Sequence, residues 1–240
     1  MSASRTEWAE QRLRSTIVSG ELQPGARVRV EELAEQWDVS PTPLREAVRT
    51  LAGEGLITLR AQRGARVAEV SAAEMEDVYA TRMLLEPYVL RLSLERADDE
   101  WRAALERAWD ELERVSASGP KSHLDLEPAH GDFHQALLAA CESPSLLRIC
   151  GQLRTQSLRF RVLTRSSRPG GLAQSRGEHA EMYAAALERD ETAAMSLAAV
   201  HLGRTVMSTL GVGALETLIE RIRLAQGIST PVLDGLTSLV

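Results

Sequence analysis

Apolar residues recur every three or four positions through most of this chain, the period of helices with one buried side. Ala9, Leu13 and Ile17 predict a helix over 5–19, and Ser19-Gly20-Glu21-Leu22-Gln23-Pro24-Gly25 ends it with turn chemistry. Leu33, Ala34 and Trp37 predict a short helix over 31–38, followed by a tight connection at Val39-Ser40. Ser40 suits the N-cap of a third helix and Pro41 its first position. That helix runs to about Ala52 and turns Leu44, Ala47, Val48 and Leu51 inward, before Gly53 and Gly55 close it. The period then changes. Two short β-prone runs, 56–60 and 66–70, flank Ala61-Gln62-Arg63-Gly64-Ala65, which reads as a hairpin. Helix, helix, tight turn, helix, hairpin is a winged helix-turn-helix.

From Ser71 onward the texture is helical throughout. Ser71 and Glu74 have capping-box spacing. Helices are predicted near 72–96, 99–117, 129–141, 145–164, 173–189 and 191–209, separated by Asp, Gly and Pro clusters. The tail, 211–240, predicts one more amphipathic helix carrying Leu215, Leu218, Ile219 and Ile222, then a loose end. The expected architecture is mainly α: a winged helix-turn-helix over 1–70 and an antiparallel all-helical bundle over 71–240.

Composition narrows the class without deciding it. The 240 residues are 44% hydrophobic and 26% charged, an ordinary globular balance, and no apolar stretch approaches the roughly 18 residues of a membrane span. No leader-like apolar run opens the chain, so a cytoplasmic location with no membrane partner is expected. Cys141 and Cys150 read as buried reduced thiols.

Net charge is −6, which at first argues against nucleic acid. Its distribution reverses that inference. Residues 1–70 hold ten arginines and ten acids, and Arg45, Arg49, Arg60, Arg63 and Arg66 outnumber Glu46 and Glu54 within 41–66. A local basic face is the footprint of DNA binding. The second helix of a helix-turn-helix pair enters the major groove with its N-terminal residues toward the bases. Arg45 and Arg49, four apart, share its outward side and can each grip guanine bidentately. Thr42 and the helix N-terminus suit a phosphate. Arg63-Gly64, at the hairpin tip, can enter the minor groove or touch backbone.

The stretch Gly20-Glu21-Leu22-Gln23-Pro24-Gly25, then Leu33 through Val48, Leu51, Glu54-Gly55-Leu56-Ile57 and Gly64 resembles the GntR family of bacterial repressors. Many members carry an arginine where this chain has Pro41. Arg45 matches the family's recognition-helix arginine, and Arg63-Gly64 its wing tip. The helical remainder resembles the FCD-type ligand domain of the FadR branch. Arg82-Met83-Leu84-Leu85-Glu86-Pro87 and Asp132-Phe133-His134-Gln135-Ala136-Leu137 carry that likeness, with His179 and His201 in two late helices.

Four of the five histidines form a pattern. His130 and His134 project from one helix face, four residues apart. His179 and His201 come from two other predicted helices, an arrangement from which a bundle builds an interior metal site. Neutral imidazole suits a divalent transition metal, zinc or nickel foremost. The resemblance implies Asp at the place of His130. Four neutral ligands leave the metal's charge uncompensated, and an anionic effector would supply the balance, with Arg82 as a second carboxylate anchor.

These expectations combine into a ligand-responsive, DNA-binding regulator, a homodimeric repressor on a near-palindromic operator. The family likeness implies a small carboxylate effector: a sugar, hydroxy or keto acid. A metal-responsive regulator is the alternative. A metal-dependent hydrolase with a DNA-binding module is less favoured, because no HExxH or nucleophile motif is present, and the chain is expected not to be an enzyme.

Overall fold

The computed structural model describes residues 4–60, 64–119, 123–165, 171–224 and 230–240. The first helix, α1 (Arg5–Val18), opens on a reciprocal cap: the Ser4 hydroxyl accepts from the Glu7 N–H, and the Glu7 carboxylate accepts from the Ser4 N–H. After β1 (Arg27–Val28) and α2 (Val30–Gln36), Asp38 takes φ 53° and turns the chain into α3 (Pro41–Gly53). Ser40 stands at the N-cap of α3 but makes no side-chain capping bond. The reason lies in the sequence. A cap serine serves the N–H of the second or third helical residue, and the third here is Pro43, which has none.

The strands β2 (Ile57–Arg60) and β3 (Gly64–Val67) form a hairpin, with Ile57 opposite Val67 and Arg60 opposite Gly64, so that Gly64 and Ala65 belong to the second strand and not to the turn and the strand ends at Val67 rather than Val70. The sheet has a third strand that the periodicity did not predict. β1 pairs antiparallel with β3, Arg27 opposite Arg66 and Val28 opposite Ala65, giving the order β1-β3-β2. Ala9, Leu13, Ile17, Leu33, Leu44, Ala47, Leu51, Leu56 and Val67 form one buried cluster that joins the helices to this sheet.

The remaining helices are α4 (Ala72–Arg96), α5 (Asp99–Ala117), α6 (His123–Leu138), α7 (Pro144–Arg165), α8 (Gly171–Leu187), α9 (Glu191–Leu210), α10 (Val212–Leu224) and α11 (Thr230–Thr237), with a 3-10 turn at Ala139–Cys141. Ser71 and Asp98 cap α4 and α5 through side-chain bonds to the Glu74 and Trp101 amides. α6 begins six residues before its predicted start, at His123. Pro128 lies inside it and costs a single backbone bond.

Two buried clusters fill the bundle. One joins Leu94, Leu105, Phe133, Leu137 and Met182; the other joins Met83, Phe160, Leu202, Leu215, Leu218, Ile222 and Leu236. The tail is therefore not a loose end. α10 and α11 both pack on α9, and glycine makes the second crossing close. A Cβ at Gly203 would lie 2.8 Å from Leu239 and 2.9 Å from Leu236, and one at Gly235 would lie 2.9 Å from the Ser196 carbonyl oxygen.

The N-terminal unit also touches the bundle, through α1 and α7. Gly55, at φ +80°, brings the backbone after α3 against α7. A Cβ there would sit 3.0 Å from the Gln156 side-chain nitrogen.

Candidate functional site

The buried face of α3 leaves its opposite side to solvent, and Thr42, Arg45 and Arg49 are exposed there. Arg45 is 55% exposed and donates to Glu31 of α2 at 2.8 Å. Its own helical amide first, and then Arg45, hold the Glu31 carboxyl below its usual range. Arg45 lines a groove of about 460 Å³ together with Arg27, Arg29, Glu31, Gly64 and Ala65. Gly64 has φ +76°, and a Cβ on it would stand 3.8 Å from the Arg27 guanidinium. Recognition helix, β1 and wing thus share one groove, in which Arg27, Arg29 and Arg45 stand with Glu31 and Glu32. The sequence reading missed Arg27 and Arg29. Arg27 lies in the two-residue β1 and Arg29 at the N-cap of α2, so no periodic run marks them, and two arginines within three residues were the available signal. Arg63 lies outside the described residues.

The four predicted histidines meet in the bundle interior. α6 supplies His130 and His134 from one face, α8 supplies His179 and α9 supplies His201. All four are buried, and one ligand atom from each lies within 4.8 Å of the others. The Nε2 atom of His134 is 3.2 Å from Nε2 of His130 and 3.1 Å from Nε2 of His179. A tetrahedral zinc site with Zn–N of about 2.0–2.1 Å separates its ligands by about 3.3 Å, close to both of these separations. Burial, then the neighbouring His130, His179 and His201, then Arg154, hold His134 well below the usual histidine range. It is thereby kept as the neutral imidazole a metal requires.

Glu178 completes the arrangement from outside. His201 Nδ1–H donates to its Oε2 at 2.7 Å, and Arg204 donates to Oε1 at 3.1 Å. This contact fixes the tautomer that turns Nε2 of His201 toward the cluster. It also brings a carboxylate next to a ligand set that reads from sequence as uniformly neutral. Adjacent helix positions diverge by about 100°, so Glu178 and His179 point apart, and only the packing of α8 on α9 shows that Glu178 meets His201. Arg154 of α7, buried beside His134, is a second group the sequence did not single out.

Arg82 is 2% exposed and already engaged. Its guanidinium donates to both Glu86 oxygens, at 2.7 and 3.1 Å, and to Ser157 at 2.9 Å. To receive an incoming carboxylate it would have to give up Glu86. Cys141 and Cys150 are free and buried, and burial, with Glu86 next, pushes the Cys150 thiol up to about 12.

A cavity of about 580 Å³ adjoins the cluster at His179, walled by Trp109, Leu112, Leu126 and Ala180, with Glu113 and Arg176 also lining it. A shallower groove of about 440 Å³ lies between the units, lined by Glu54 of the N-terminal unit and by Asp132, Arg148, Gln152 and Arg154 of the bundle.

Comparison with known proteins agrees with both halves of this description. The model of the bacterial regulatory proteins of the gntR family matches residues 5–67, and that of the FCD domain matches residues 77–204. The chain is 34% identical over 201 residues to the HTH-type transcriptional regulator BphR of Paraburkholderia xenovorans (strain LB400), covering 82% of this chain and 81% of that protein. It is 32% identical over 196 residues to the HTH-type transcriptional repressor GlaR of Escherichia coli (strain K12), covering 79% and 89%. The solved structure of E. coli McbR/YncC has the same fold, with a TM-score of 0.71 at 20% identity over 92% of this chain and 99% of that one. A basic recognition helix beside a wing, joined to a helical FCD domain, places this chain in the GntR family as a DNA-binding transcriptional regulator.

Proposed function

We propose that this regulator is a repressor whose operator affinity is set by a small carboxylate acting on a metal-bearing helical domain. The four converging imidazoles carry the reading. His130, His134, His179 and His201 would hold a divalent transition metal, zinc or nickel. Bound there, the metal supplies the positive charge that draws a carboxylate into an otherwise apolar interior. Glu178 orients His201, and the neutral state of His134 leaves its nitrogen available for coordination. On the DNA side, Thr42 and the N-terminus of α3 would hold phosphate, Arg45 and Arg49 would read base edges, and Arg63-Gly64 would follow the adjacent groove. A homodimer divided near residue 70 into reading and sensing parts would require a near-palindromic operator. Repression is favoured by the likeness to GlaR, a repressor by name.

A second reading has one observation behind it. Four histidine nitrogens are enough to fill all four places around an ion such as zinc, as in structural sites that keep no open position. In that case the metal itself is structural, or is the signal.

Operator-shift titrations on protein stripped by chelator and then reloaded with zinc or nickel separate the two. Release of operator by an acid only in the loaded protein supports the proposal. Release or capture by metal alone, with acids inert, supports the second reading. A chain that takes up no metal overturns both.

A further inference from the structure

We infer that the cavity beside His179 receives the apolar body of an aromatic monocarboxylic acid whose carboxylate faces the four-histidine cluster. This rests on the proposed sensing role of the cluster and names the class of acid it would admit.

The cavity lies between α5, α6 and α8, and its volume, about 580 Å³, is within the range of small-molecule sites. Trp109, Leu112, Leu126 and Ala180 give it carbon walls. Trp109 stacks on Tyr183, with centroids 5.0 Å apart and planes 14° from parallel, and also lines the cavity, so its ring is held in place before any ligand arrives. Several polar groups at the cavity are already committed. The Ser116 hydroxyl donates to the Leu112 carbonyl of its own helix at 2.6 Å. Arg176 donates to both oxygens of Glu113, joining α8 to α5. With Ser175 the one further side-chain hydroxyl among the described lining residues, a sugar acid entering here would exchange most of its water hydrogen bonds for contact with carbon, whereas a planar ring has none to give up.

Orientation follows from charge. The Arg176–Glu113 pair is neutral as a unit and sits on the more exposed side. The other end reaches His179, whose Nε2 is 3.1 Å from that of His134. A carboxylate therefore gains most by pointing inward, toward a cation bound by the four histidines.

The test is calorimetric titration of the full-length, zinc-loaded protein with 3-phenylpropionate, acetate and gluconate, repeated on Ala180→Leu. Leucine suits a helix and at this position extends into the cavity. The expected result is phenylpropionate binding at least tenfold tighter than either other acid, with that advantage gone in Ala180→Leu and acetate unchanged. Should Ala180→Leu melt well below the parent, Gly177→Leu serves instead, since a Cβ at Gly177 meets nothing within 4 Å. Three acids of equal affinity, or an advantage that survives the filled cavity, overturn the assignment and leave the sensing role of the metal standing. Phenylpropionate that binds equally well after zinc is stripped overturns the inward orientation. If none of the acids binds to a protein that does hold zinc, the assignment and the carboxylate-sensing reading fall together.

Discussion

Single side chains carry most of the specificity proposed here, and each has a separable signature. Arg45 and Arg49 are both exposed on α3. Loss of a bidentate guanine contact costs about 1–3 kcal/mol. Arg45→Ala is therefore expected to lower operator affinity about tenfold to a hundredfold and to relax preference at one base pair. Arg49→Ala is expected to do the same at a second base pair, whereas loss of a mere phosphate contact would weaken all sequences alike and reduce the salt slope by about one. Electrophoretic shifts at several salt concentrations distinguish the two. At the histidine cluster, Glu178→Gln keeps the shape but weakens the partner of His201 Nδ1, and loss of such an orienting carboxylate is expected to lower metal affinity about tenfold to a hundredfold. Competition with a chromophoric chelator reads that loss directly. His134 also makes the metal-free protein acid-sensitive. Its folded form resists protonation, while the unfolded chain takes up a proton near pH 6.5. Stability is therefore full above that pH and falls as pH drops below it. Urea midpoints of stripped protein at pH 8 and pH 5.5 should differ accordingly, and His134→Gln should narrow the difference.

At the scale of elements, amphipathic period was a good guide where a helix is long and one-sided, and a poor one where tertiary contact decides. α4 and α5 have the ends that Ser71, Asp98 and the apolar spacing predict. β1 is two residues long, too short for alternation to register, and exists because β3 offers it an edge. α11 escaped notice because its turn-prone glycine and proline mask the pair Val232 and Leu236, which become a buried face only against α9. The early start of α6 has the same kind of cause, since a proline that reads as a helix start is accommodated in the second turn. The α9–α11 crossing is open to test. A methyl group at Gly235 meets the Ser196 backbone, which cannot swing aside as a side chain can. Overpacking of this sort costs about 1–3 kcal/mol, so Gly235→Ala is expected to lower the melting temperature by several degrees without altering the intrinsic contacts to DNA.

Taken as a whole, the molecule shows why the histidine cluster was legible and its surroundings were not. Two histidines four apart on one predicted helix, and two more on late helices where the likeness to the FCD domain expects them, pointed to a common interior. Glu178, Arg154 and the cavity walls depend on how α7, α8 and α5 pack, which no local pattern encodes. The same packing links the proposed sensing site to the DNA-binding unit. α7 places Arg154 beside His134 and Ser157 against Arg82, and the intervening Gln156 meets Gly55 just beyond the recognition helix. Gln156→Ala is expected to leave operator affinity of the acid-free protein within about threefold while reducing the response to acid, as measured by paired shift assays. Coupling of this kind typically amounts to about 1–3 kcal/mol. One consequence of the Gly55–Gln156 contact runs opposite to the usual view of a repressor. Thermodynamic linkage is symmetric, so if the proposed acid weakens the hold on DNA, a bound promoter fragment must weaken the hold on the acid by the same factor. Protein parked on its promoter would then respond at a different metabolite threshold from protein free in solution.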